Sequence, residues 1–154
     1  ASDSLSDAIT KCVVSNRGLF MQFEFLAPYR PQLLSVLRII TGLLLLQYSI
    51  AKLLKFPVLP YFANIPPLIV AAGTIELVLG ALLILGLFTR LTAFILSGEM
   101  AFAYFMGHMF KTGEPVWHPL NNGGTGAILF CFTCLYLASA GPGPWSIDAS
   151  RGKS

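Results

Sequence analysis

The sequence predicts an all-α protein: an integral-membrane four-helix up-down bundle preceded by an amphipathic interfacial helix. Three observations predict it. The chain of 154 residues is 55% hydrophobic and 11% charged, against about 25% charged in an ordinary soluble domain. Four apolar stretches follow one another, each close to the ~20 residues that a bilayer crossing needs. Within each stretch the few small and polar residues recur at helical spacing. Ten Lys and Arg with seven Asp and Glu cannot clothe the large relative surface of so small a domain in water. That excludes a soluble globular domain. A net charge of +3 without any Lys/Arg-rich run excludes a nucleic-acid partner. Three cysteines, an odd number, make no disulfide framework.

The first segment, residues 1–30, does not span. Its start lacks the basic and apolar regions of a signal peptide. Leu5, Ala8, Ile9, Cys12 and Val13 form the stripe of an amphipathic helix, and Asn16-Arg17-Gly18 stops it. Phe20, Phe23, Phe25 and Leu26 follow, ended by Pro28 and Pro31. The pattern suits anchoring in the headgroup region and equally suits docking on a partner subunit. The four spans are expected at about 32–54, 66–88, 90–110 and 122–140, within a membrane domain at 31–148 that leaves a tail at 149–154. Breaks rich in Pro or Gly separate them, and the very short turn at Phe88-Thr89-Arg90 makes the second and third an antiparallel hairpin. Lys11, Arg17, Arg30, Arg90, Arg151 and Lys153 fall on one side, and Lys52, Lys55 and Lys111 on the other. The positive-inside rule then places both termini in the cytoplasm. Trp117, Tyr61 and Phe62 are expected at the outer interface and Trp145 at the inner one.

Ionisable groups in hydrocarbon are costly, about 2.5–3.5 kcal/mol each on insertion scales, and normally face the interior of a bundle. Arg38, Glu76 and Glu99 lie well inside the spans, with Lys52 and His108 near span ends. At 100° per residue, Arg38, Gly42, Leu45, Ser49 and Lys52 share one face of the first helix. Gly73, Glu76, Gly80 and Leu83 share one on the second, and Thr92, Glu99, Ala103 and Met106 on the third. Asn122, Gly126, Leu129, Thr133, Tyr136 and Ala140 do so on the fourth. These stripes are expected to meet on the axis, small residues allowing close approach. A 1.5 Å rise puts Glu76 roughly 15 Å and Glu99 roughly 14 Å from a helix end, near mid-membrane. Arg38 is expected to pair with one of the two acids while the other holds a proton. Such a site suits proton relay or a quinone carbonyl; it equally suits a structural ion pair.

His108 lies nine residues, 900°, beyond Glu99, so it joins that site only if Gly107 breaks the helix. Otherwise it hydrogen-bonds in a polar mouth near Asn122. Two His residues, His108 and His118, with Glu114 are too few for a metal centre, and no metal is expected. Cys131 and Cys134 form a C-x-x-C, which invites a redox dithiol reading. Helical i,i+3 spacing and mid-span burial favour two inert thiols instead.

Ordered along the chain are Arg38, Gly42 and Lys52; Glu76 and Gly80; Gly86-Leu87-Phe88-Thr89-Arg90; and Glu99, Tyr104 and His108. Pro119 to Gly124, and Gly141 through Asp148, complete the series. In this order the motifs resemble the DoxX family of small four-helix bacterial membrane proteins, over about 35–148. The resemblance implies a multi-pass protein of the bacterial inner membrane. Some members are linked to quinone-dependent oxidation of thiosulfate or to thiol redox complexes. Thr125 stands where the family usually has Glu, and Ser49 where a Gly precedes the Lys. Two readings follow. The chain is a subunit of a redox complex, not catalytic alone, that binds quinone or passes protons and takes electrons from a partner. Alternatively, it is a non-catalytic accessory subunit that stabilises a larger membrane complex. No covalent cofactor is expected; lipids and other subunits are the expected partners, and the catalytic residues are left unassigned. A solute carrier fits less well, since the chain has no duplicated half.

Overall fold

The computed structural model of the chain describes residues 21–62, 65–111 and 113–152. All regular structure among them is helical. The chain divides into two units, residues 1–31 and 32–154. In the first, Met21–Tyr29 is a 3-10 helix; the amphipathic stripe from Leu5 to Val13 lies outside the described residues. The helices are α1 (Arg30–Leu53), α2 (Pro67–Leu85), α3 (Thr89–Phe102), α4 (Pro119–Asn122), α5 (Thr125–Ala140) and α6 (Ile147–Ser150). From Phe102 the chain continues without a break into a π-helical segment, Ala103–Met109.

Phe25–Leu53 and Pro67–Leu85 are long and apolar enough to cross a membrane, and Thr125–Ala140 is a shorter apolar helix. The distribution of side chains is inverted relative to a soluble protein. Ser35, Arg38, Thr41, Ser49, Glu76, Thr89, Thr92 and Ser97 are buried, while Leu33, Ile40, Leu43, Leu91, Phe94, Phe132 and Leu135 are exposed. In water such an exterior would be an aggregation surface; in lipid it is the expected one. The buried hydroxyls are met locally. Thr41 Oγ1 donates to the Leu37 carbonyl at 2.7 Å and Ser49 Oγ to the Leu45 carbonyl at 2.9 Å, the i−4 bond open to Ser and Thr in a helix.

Pairwise contacts run antiparallel. On α1 and α2, Arg38 meets Leu83 and Ile84 while Lys52 meets Glu76. Gly42 sits where the two backbones come close: a Cβ there would lie 2.7 Å from Ile84 Cγ1 and 2.9 Å from the Gly80 carbonyl. Helix α2 ends in a Schellman motif, with Gly86 at φ 66°, Leu87 N donating to Leu82 O and Gly86 N to Leu83 O. That stop reverses the chain directly into α3. Helix α3 then packs on α5, where Arg90 reaches Ala138 and Ser139, and Ser97 Oγ lies 3.6 Å from Cys131 Sγ. Leu45, Leu83, Ala93, Leu96, Met100, Cys134 and Leu137 make the apolar core.

The stripe expected on α2 is the buried one: Gly73, Glu76, Gly80 and Leu83. On α1, Arg38, Gly42, Leu45 and Ser49 are buried as expected. Helix α5 corrects the fourth stripe. Leu129 and Tyr136 are 63% and 56% exposed, while Cys134 and Leu137 are fully buried. Cys134 in the core and Cys131 beside Ser97, not the polar face, turn toward α3. The extrapolation from Asn122 fails because Asn122 belongs to α4, and Gly123 at φ 72° separates it from α5. On the third helix Met106 is 54% exposed, since the π-helical segment shifts the phase beyond Phe102. Phe62 is buried rather than displayed, whereas Trp117 and Trp145 are exposed.

Candidate functional site

At the centre lie Lys52, Glu76 and Glu99. Glu76 is the midpoint of α2, with residues 67–75 before it and 77–85 after. Glu99 is the midpoint of the continuous helical run 89–109, with 89–98 before it and 100–109 after. Two carboxyl groups thus stand at mid-depth of their helices. Lys52, near the end of α1, lies alongside Gly73, where a Cβ would be 3.4 Å from both Lys52 Cβ and Cδ. The glycine leaves the lane along which the lysine stem reaches Glu76, and Nζ sits 2.6 Å from each Glu76 carboxylate oxygen. Ser49 Oγ adds a longer contact of 3.4 Å to Glu76 Oε2. Glu76 is 1% exposed, and a buried carboxylate persists only with such pairing.

Glu99 is half-buried and its carboxyl is within hydrogen-bonding reach of Glu76, with Lys52 close enough for its charge to act on both acids. Its Oε2 is shut off from solvent and has no hydrogen-bond partner. Ionised carboxylates only accept hydrogen bonds, so a bond between these two requires one shared proton. One ammonium, one carboxylate and one carboxylic acid sum to zero charge, the arrangement that low dielectric favours.

Arg38 belongs elsewhere, which corrects the expected pairing with Glu76 or Glu99. It lies fourteen residues from Lys52, roughly 21 Å along α1. Fully buried, it donates from Nη1 to the Leu83 and Ile84 carbonyls, from Nη2 to the Trp145 carbonyl, and from Nε to the Pro142 carbonyl at 2.8 Å. Its charge rests on the last carbonyls of α2, where the helix dipole favours a cation. Arg90 does the same for α5, donating to Ser139 O at 2.6 Å and Ala138 O at 3.2 Å. Asp148 supplies the opposite end of the pattern. It accepts from Phe88 N at 3.0 Å and Thr89 N at 2.8 Å, capping α3. The roles of Arg90 and Asp148 are what sequence reasoning missed. The signal was present: a lone acid just after a Gly-Pro-Gly-Pro loop, and a basic residue directly after a helix-reversing turn.

At the other end, His108 Nδ1 is 3.1 Å from the Asn122 carbonyl. Asn122 donates through Nδ2 to Val116 O at 2.8 Å and accepts at Oδ1 from Gly124 N at 2.7 Å. These two expected site residues are together, as a loop anchor, apart from Glu99. Among the described residues no group of His, Cys, Asp and Glu could hold a metal. Cys131 and Cys134 are free thiols.

The DoxX family model matches residues 33–109, which carry Arg38, Lys52, Glu76, Glu99 and His108. An uncharacterized protein of Haemophilus influenzae is 42% identical over 126 residues, covering 80% of this chain and 93% of that protein. No solved structure matches the chain. With the match running through the inward-facing stripes of three apolar helices, the chain belongs to the DoxX family of membrane proteins.

Proposed function

We propose that the chain is a multi-pass, four-helix protein of the bacterial cytoplasmic membrane with both termini inside. It serves as a subunit of a quinone- or thiol-linked redox complex, and its Lys52–Glu76–Glu99 cluster handles protons or a quinone headgroup. One observation carries this reading: three ionisable side chains gathered at mid-depth, Lys52 paired with Glu76 and Glu99 beside them with a buried oxygen that has no hydrogen-bond partner. Intramembrane ionisable residues are expensive and are retained mainly where they act. Glu99 gives or takes the proton as a quinone carbonyl and a hydroquinone hydroxyl interconvert. Glu76 passes that proton on, and Lys52 holds the charge balance. Electrons come from a partner subunit.

A second reading, a non-catalytic accessory subunit, is favoured by the engagement of Arg38, Gly86, Arg90 and Asp148. These residues of the resemblance hold backbone groups at one end of the molecule. Glu76→Gln and Glu99→Gln in the parent complex separate the two. Loss of quinone-linked activity with normal assembly supports the first reading. Full activity of both variants leaves the accessory role.

A further inference from the structure

We infer that Arg90 and the seam between α3 and α5 beside it form a docking site for an anionic phospholipid, with the phosphate on the guanidinium and an acyl chain along the seam. Arg90 is exposed, and its guanidinium is held along one edge only. Nη1 donates to the Ala138 and Ser139 carbonyls at 3.2 and 2.6 Å. Buried Gly141 seats the group: a Cβ there would stand 3.0 Å from Nη2 and 3.7 Å from Nε. Among the described residues, Nε and Nη2 have no acceptor and no carboxylate pairs with Arg90. Those two nitrogens form the edge of a guanidinium that meets two phosphate oxygens side by side. With Nη1 fixed on two carbonyls, the plane of that fork is set before a ligand arrives.

Beyond the fork the surface is apolar. Phe94 stands one turn after Arg90 on α3, and Leu135 and Phe132 stand one and two turns before Ser139 on α5, so they share the Arg90 side of their helices. Phe94 and Phe132 are 63% and 64% exposed and Leu135 is 44% exposed. The two helices meet between them, where Ser97 Oγ lies 3.6 Å from Cys131 Sγ. A cation at a helix end, continued by a lane of apolar side chains about 6–10 Å long, matches an anionic head with a hydrocarbon tail and not a soluble anion. The charge at this end selects the headgroup. Arg38 and Arg151 both act on the Asp148 carboxylate, which offsets only one of them. Arg90 adds to that positive surplus, which draws a headgroup of net negative charge and repels the choline of a zwitterionic lipid.

The test titrates the full chain in mild detergent with phosphatidylglycerol and with phosphatidylcholine of the same acyl chains, counting one-to-one adducts by native mass spectrometry. Phosphatidylglycerol is expected to bind at least tenfold more tightly. Arg90→Gln should remove that preference, and Leu135→Ser should weaken phosphatidylglycerol binding several-fold. Leu43→Ser, in exposed apolar surface of α1, should leave it unchanged. Size-exclusion profiles identify the folded variants. Should Arg90→Gln not fold, Arg151→Gln carries the test, since Arg151 holds no α5 carbonyl, and its preference should fall. Equal binding of the two lipids by wild type overturns the inference, as does an unchanged preference in folded Arg90→Gln or in Arg151→Gln, or unchanged binding in Leu135→Ser. Displacement of phosphatidylglycerol by excess inorganic phosphate overturns it too, by revealing a site for a soluble anion.

Discussion

The Thr89 amide donates to Asp148 Oδ2 at 2.8 Å across 59 positions of sequence. The first turn of α3 is therefore capped by a residue from the far end of the chain, not by its own flank. Phe88, at φ 50°, is turned so that its amide joins the same carboxylate, and Asp148 N returns a bond to Gly86 O at 2.9 Å. Removing the carboxylate with Asp148→Ala orphans two amides, at a cost of about 2–3 kcal/mol. Burial alone would raise the Asp148 carboxyl, but the Thr89 and Phe88 amides and the Arg151 charge together hold it below the usual range. A depressed native pKa stabilises above the unfolded value, about 4, and that contribution is lost as pH falls through the native value. The thermal midpoint gap between wild type and Asp148→Asn in detergent should hold from pH 5 upward and narrow below pH 4. A gap constant down to pH 3 would refute the cap.

Arg38 should tolerate no replacement. Lysine offers three donors on one atom and cannot span carbonyls of α2 and of the 142–145 loop together. We expect Arg38→Lys to lower stability by about 2–3 kcal/mol and Arg38→Ala by more, since several buried carbonyls then lose their donor. Reversible unfolding in mixed SDS micelles would measure both. Activity of whatever folded Arg38→Lys protein remains should be normal, because the Lys52 cluster lies at the other end of α1.

How Arg38 and Lys52 exchange roles shows what the sequence could and could not convey. Helical phase placed both on the buried face of α1, and run length placed Glu76 and Glu99 at mid-depth, because period and rise are properties of the helix itself. Partner choice was not legible. Backbone carbonyls at a helix end and in a Gly-Pro loop are acceptors that every sequence has, so nothing in residue type announces that they will satisfy a guanidinium. Lys52 looked peripheral because its Cα is near the end of α1; its long stem runs back along Gly73. Phase also failed wherever regular α-helix stopped, at Gly123 before α5 and at the π-helical turn beyond Phe102.

Three glycines should respond in order of the room around them. Gly86→Ala combines a left-handed φ of 66° with a Cβ that would collide with Ser146 Cβ, and should be the most damaging, by about 3 kcal/mol or more. Gly42→Ala meets Ile84 and the Gly80 carbonyl and must push α1 and α2 apart, at about 1–3 kcal/mol. Gly98→Ala meets nothing within 4 Å and should be neutral or stabilising by about 0.5–1 kcal/mol. A thermal-shift series on the three variants tests the order; equal midpoints for Gly42→Ala and Gly98→Ala would contradict the close crossing of α1 and α2.

Lys52 and Glu76 should be strongly non-additive. Lys52→Met leaves a carboxylate that is 1% exposed without its cation, which costs about 3–5 kcal/mol when a buried pair is broken. Glu76→Leu strands the ammonium less severely, because Lys52 is partly accessible and its long stem can swing the charge outward. In Lys52→Met/Glu76→Leu neither charge remains, and the apolar pair fits the lipid-level surroundings. The double variant should therefore recover most of the stability lost by Lys52→Met, giving a coupling of about 2–3 kcal/mol in a double-mutant cycle. Proton or quinone handling should not recover with it, since Glu99 then has no carboxylate neighbour to receive its proton. Stability restored together with activity would show that the ion pair only holds α1 to α2.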